Sequence, residues 1–145
     1  VLLVAALGFL FMRIVMLGGP QDKERIVMAY FYDQNTGDLL AKPASTIGPI
    51  ETDSGPFNGE PAGVRAAVFA CGQCGDESKH FIGYLTRPLP PEEQPEDSEP
   101  LDLMKRVDDT QWYRSDSPEA LKILQELATH CPKGARRNVC RPDPK

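Results

Sequence analysis

The chain has 145 residues, which is the length of one domain or of a small domain with an accessory segment. It holds 16 Lys and Arg against 21 Asp and Glu, and the formal charge of −5 argues against nucleic acid as the main partner. Hydrophobic residues make up 41% and charged residues 26%, which is typical of a globular protein and not of a disordered one.

The first 17 residues form an apolar run that contains one charge, Arg13. About 17 to 20 apolar residues are needed to span a bilayer, and Arg13 is close enough to the break at 18–20 to reach the interface. We therefore expect a transmembrane helix over 1–17. A cleavable signal peptide is a weaker alternative because no small-x-small site follows the run. A pilin-like helix is another, but Ala5 stands where that pattern has Glu.

A linker over 18–25 is expected to precede a β-rich domain over 26–87. Its strands are indicated by β-branched and aromatic residues between turn residues. We predict strands over 26–32, 63–70 and 81–86, a hairpin return over 38–42, and a long surface loop over 43–63.

The remainder of the chain is predicted to be a linker and a C-terminal segment. Residues 88–100 hold five prolines and five acidic residues, which predicts an extended linker. The segment 101–145 contains a helix over 118–130, because Ser117 suits the N-cap and Pro118 the first helical position. The helical spacing predicts an inward face that packs on the β domain and consists of Leu121, Leu124, Leu127, Ala128 and Cys131.

The four cysteines are the one chemical constellation, and they predict a structural zinc site formed by Cys71, Cys74, Cys131 and Cys140. The run Cys-Gly-Gln-Cys-Gly between two strands is similar to the knuckle of zinc ribbons and rubredoxins. Its glycines let two sulfurs face one ion at about 2.3 Å. The second half, C-x8-C, departs from a ribbon's second C-x2-C, and His80 or His130 could replace one sulfur ligand.

Two disulfides are the structural alternative, since an exported domain lies in an oxidising compartment. Cys131 with Cys140 closes a short loop, and Cys71 with Cys74 would form a small, strained ring. A redox-active dithiol and a rubredoxin-like iron site are further alternatives. The dithiol is disfavoured because Gly75 and the short segment before Phe81 leave little room for the helix that a thioredoxin-like cysteine opens.

Three motifs follow one another in the part of the chain after the apolar run: Tyr-Phe-Tyr-Asp-x-Asn-Thr-Gly-Asp-Leu, Gly-Val-Arg-Ala-x-Val-Phe-x-Cys-Gly-x-Cys, and Phe-Ile-Gly-Tyr-Leu. In this order the chain resembles an uncharacterised family of planctomycete-type single-pass membrane proteins. The resemblance covers most of residues 29–140 and includes the two late cysteines. It implies a membrane-anchored protein and brings no known activity.

The predicted fold class is α+β: a transmembrane helix, a small loop-rich β domain of zinc-ribbon-like hairpins, and one C-terminal helix. The sequence holds no phosphate loop, Ser-His-Asp set or haem motif, so we expect no enzyme and no small-molecule substrate. We predict a membrane-anchored accessory or scaffold subunit, with the other subunits of a membrane complex as partners and its soluble domain on the periplasmic side. The alternative is a membrane-tethered thiol redox or electron-transfer protein that uses Cys71 and Cys74.

Overall fold

The computed structural model describes residues 24–144 and places most of them in or against one antiparallel sheet. The sheet has seven strands in the order β2-β1-β3-β4-β5-β6, and β7 also pairs with β3. The strands are β1 (Met28–Asp33), β2 (Leu39–Pro43), β3 (Gly63–Cys71), β4 (Phe81–Pro88), β5 (Asp102–Lys105), β6 (Tyr113–Arg114) and β7 (Arg137–Cys140). One helix, α1 (Pro118–Ala128), and two short 3-10 turns, Glu77–Lys79 and Pro91–Glu93, complete the described elements.

Strand β3 is the centre of the sheet. It pairs with β4 along one edge, while its first half pairs with β1 and its second half with β7. A strand has only two edges, so β1 and β7 lie end to end along the second edge of β3. The final strand of the described chain is therefore built into the middle of the sheet.

Successive side chains of each strand point to opposite sides of the sheet, and both sides carry apolar residues. On the first face Val64, Ala66, Val68 and Ala70 of β3 pack with Leu85 of β4. On the second face the helix α1 covers the sheet, and Met104 packs with Ala120 and Ile123. We refer to these as the open face and the helix face.

Strand β4 contains a bulge at which its pairing with β3 shifts by one residue. Ala67 pairs with Tyr84 and Val68 with Ile82, so Gly83 is the extra residue on β4. A Cβ at Gly83 would lie 2.7 Å from one ring carbon of Phe69 and 3.0 Å from Leu127 of α1. Only a residue without a side chain lets the helix pack this closely at the bulge.

The loop between β2 and β3 is tied to the end of β1 by a buried carboxylate. Asp33 Oδ1 accepts hydrogen bonds from the Asn35 backbone N–H at 2.9 Å and from Ser54 Oγ at 2.8 Å. Burial by itself would raise the pKa of Asp33, but these hydrogen bonds outweigh it and leave that pKa below its ordinary value. The predicted surface loop therefore has a fixed path, and it carries Phe57 back beside the sheet.

The predicted strands 26–32, 63–70 and 81–86 are confirmed as β1, β3 and β4, and the predicted helix is confirmed with its last residue at Ala128. The Ser117 side chain accepts a hydrogen bond from the Ala120 N–H, as expected of an N-cap. The predicted inward face is wrong in part. Ala120, Ile123 and Leu127 are buried, whereas Leu121 and Leu124 are exposed. Ala120 is small enough to let this side of the helix approach β5 and β6 closely.

The predicted fold class is wrong in its zinc-ribbon-like hairpins, because all seven strands join one continuous sheet. Within residues 24–144, no helix combines the length and the apolar character needed to cross a membrane. The transmembrane helix predicted over 1–17 lies outside the described residues. The prediction of a single-pass membrane protein with a periplasmic domain therefore finds no support in residues 24–144, where no membrane-spanning helix is present.

Replacement of Gly83 tests the bulge. We expect Gly83→Ala to lower the free energy of unfolding by about 1–3 kcal/mol, because the new methyl group overpacks against Phe69 and Leu127. Gly75→Ala is the matched control, since a Cβ there meets nothing within 4 Å, and we expect a change within about 0.5 kcal/mol. Urea unfolding without reductant measures both. Equal stability of the two variants would contradict this packing.

Candidate functional site

All four cysteines lie at one end of the sheet and form two disulfide bonds. Cys71 is bonded to Cys131 and Cys74 to Cys140, and each pair has a Cα–Cα distance of 5.5 Å. The bonded cysteines are 60 and 66 residues apart in sequence. Each disulfide therefore connects the centre of the sheet to the last part of the described chain.

The alternation of side chains along β3 accounts for this pairing. Val68 and Ala70 point to the open face, so Cys71 points to the helix face, where it meets Cys131 just after α1. Cys140 pairs with Val68 in the sheet and therefore lies on the open face, where it meets Cys74. The two disulfides thus lie on opposite faces of the sheet.

The turn between Cys71 and Cys74 is held by β7. Gly72, at φ +109°, donates its N–H to the Arg136 carbonyl oxygen at 2.7 Å. Its own carbonyl oxygen accepts from Asn138 Nδ2 at 2.5 Å. These bonds turn the chain over the end of the sheet, so that the two cysteines of the C-x2-C motif face different sides.

The predicted zinc site of four thiolates is wrong, because a sulfur in a disulfide carries no charge with which to bind the metal. The alternative pairing, Cys71 with Cys74 and Cys131 with Cys140, is also wrong. A thiol redox protein that uses Cys71 and Cys74 would need those two sulfurs to bond to each other, whereas each is bonded to a distant cysteine. Two structural disulfides indicate an oxidising compartment.

One histidine joins the cysteines on the open face. The ligand atoms of Cys74, His80 and Cys140 all lie within 4.8 Å of one another, a group that could hold a metal ion. His80 Nε2 lies 2.8 Å from the Cys74 carbonyl oxygen, and a proton on Nε2 leaves a lone pair on Nδ1. His130, the other histidine considered from the sequence, stacks on Phe81 with ring centroids 4.1 Å apart and is not in this group.

A second polar cluster on the open face was missed by the sequence analysis. The Arg87 guanidinium carbon lies 4.9 Å from the Trp112 ring centroid, and Lys105 Nζ lies 5.0 Å from the same centroid. Lys105 is only 6% exposed. Lys105 pairs with Leu85 in the sheet, and this pairing directs the lysine toward the apolar open face. The sequence could have predicted this position only if the register between β4 and β5 had been known.

Comparison of the chain with protein-family models, with curated proteins and with solved structures found no match. The resemblance to the planctomycete-type family therefore stays a prediction. What can be inferred about function comes from the geometry of the described residues alone.

Proposed function

We propose that this chain is a non-enzymatic accessory subunit that binds another protein in an oxidising compartment through the outer side of α1. The observation behind the proposal is a stripe of exposed apolar residues on that side. Leu121 is 56% exposed and Leu124 is 39% exposed, and Ala128 continues the same line. We call these three residues the outer stripe.

The spacing of the outer stripe suits helix recognition. Its residues stand at positions i, i+3 and i+7, which is the pattern with which a helix fits into an apolar groove of a partner. The helix is also held in place, because Ile123 and Leu127 pack against the sheet and Cys131 is bonded to Cys71 soon after the helix ends. A fixed helix loses little conformational entropy on binding, which favours affinity.

Charge favours a different protein over a second copy of this chain. Two copies would each bring a formal charge of −5, and this like charge opposes their association. The partner we propose is therefore a different protein that has an apolar groove.

Substitution of the outer stripe tests the proposal. Leu121→Glu with Leu124→Glu is expected to weaken the complex at least about 100-fold, because two apolar anchors are lost. Leu39→Glu is the matched control, since Leu39 is 38% exposed but lies on β2. The stoichiometric complex is isolated from the native source with each tagged full-length chain, and its affinity is measured by analytical ultracentrifugation. Retention of the complex by the double variant, a homodimer, or a wild-type monomer without a partner would each contradict the proposal.

The group of Cys74, His80 and Cys140 favours a second function, binding of a thiophilic metal ion after reduction of one disulfide. A dithiol reductant would transfer two electrons and two protons to the Cys74–Cys140 bond and become a disulfide itself. The two thiols lose their protons when the metal binds, and His80 supplies the third ligand. The Cys71–Cys131 bond on the other face would still hold the helix.

Partial reduction followed by zinc titration tests this second function. We expect a single zinc ion to bind the reduced chain, with at least about tenfold lower affinity in His80→Ala. His130→Ala is the control, because His130 lies outside the cysteine–histidine group. Zinc binding that is absent after reduction, or that is equal in the two variants, would exclude the site.

A further inference from the structure

A cavity of about 240 Å³ opens on the same side of the sheet as the buried lysine. It lies between the end of β1, the loop that carries Phe57 and the segment after β5. Its wall includes Tyr32, Gln34, Phe57, Lys105 and Asp108. The volume is below the roughly 300–1,000 Å³ of pockets for drug-sized ligands, so the cavity suits one small molecule.

Lys105 brings an unused hydrogen-bond donor to this cavity. Its Nζ donates to the Asp109 carbonyl oxygen at 3.1 Å, and no carboxylate of the described residues forms an ion pair with it. An ammonium group has three donors, and Nζ also faces the Trp112 ring at 5.0 Å, so at least one donor remains for another acceptor. Burial lowers the pKa of Lys105, and the nearby Arg87 acts in the same direction against the opposing effect of Asp109. A ligand oxygen that accepts a hydrogen bond from Nζ would offset the free-energy cost of burying this charged group.

Gln34 gives the wall a polar side chain with a fixed orientation. Its Nε2 donates to the Ala62 carbonyl oxygen at 3.3 Å, which fixes the orientation of the amide. Its Oε1 is buried and has no hydrogen-bond partner within residues 24–144.

The charges on the wall select against ionic ligands. An anion drawn to Lys105 would also meet the Asp108 carboxylate, and a cation drawn to Asp108 would meet the Lys105 ammonium. Hydroxyl groups both donate and accept, so they satisfy both signs of charge. Tyr32 and Phe57 add aromatic surface against which the C–H groups of a small ring can pack.

We propose that this cavity binds one neutral, hydroxyl-rich small molecule, namely a single sugar residue. Lys105 donates to its hydroxyl oxygens, Asp108 accepts from its hydroxyl groups, and the aromatic rings pack against its carbon skeleton. The cavity lies on the open face, whereas the outer stripe is on α1, which covers the other face of the sheet. The sugar proposal therefore does not rest on the protein partner proposed above.

Isothermal titration of the full chain with glucose, galactose and N-acetylglucosamine tests the proposal, with acetate and methylammonium as charged comparison ligands. We expect one of the sugars to bind and the two ions not to bind. Phe57→Ala and Asp108→Asn are each expected to weaken sugar binding roughly tenfold or more. Asp97→Asn is the matched control, because Asp97 is an exposed acid that does not line the cavity. Circular dichroism of each variant confirms that the sheet is retained.

Three results would overturn the proposal. The first is that no sugar binds the wild-type chain. The second is that acetate or methylammonium binds while the sugars do not, which would identify an ionic ligand. The third is that a sugar binds equally well to the folded Phe57→Ala and Asp108→Asn chains, which would place its site elsewhere.

Discussion

The structure depends on two covalent links at one end of β3, one on each face of the sheet. Cys71 and Cys74 are separated by a turn over the end of the sheet, so they bond to cysteines on opposite sides. The closed loops span 60 and 66 residues, and the chain-entropy model assigns about 4 kcal/mol to loops of this length. Each bond therefore contributes an amount close to the lower end of the net stability of folded proteins, which is about 5–15 kcal/mol.

The apolar core explains why such links are needed. Several of its buried positions are alanines, among them Ala62, Ala66, Ala70 and Ala120, which remove little apolar surface from water. Small residues let the helix approach the sheet closely, but a small domain with a core of this kind usually needs additional staples. The disulfides supply that support, and they also fix the helix that carries the outer stripe.

The sequence was sufficient to predict local structure where one pattern dominates. The β-branched and aromatic strands β1, β3 and β4 and the Ser117-Pro118 helix start follow from short-range preferences. The sequence was insufficient where one pattern fits two different structures. Residues 120, 123 and 127 and residues 121, 124 and 128 both follow helical spacing, so periodicity alone could not choose the buried side. The cysteine pairing and the role of Lys105 depend on strand register, which is set by contacts far apart in sequence.

The most direct test of the disulfide arrangement is a tryptic peptide map of the chain without reduction. Cys71 and Cys74 fall in peptide 66–79, Cys131 in 123–133 and Cys140 in 138–145. The structure predicts one species in which all three peptides are linked, with fragmentation between Cys71 and Cys74 joining them to Cys131 and Cys140 respectively. A free 66–79 peptide with an internal disulfide, beside a separate pair of 123–133 and 138–145, would contradict the account.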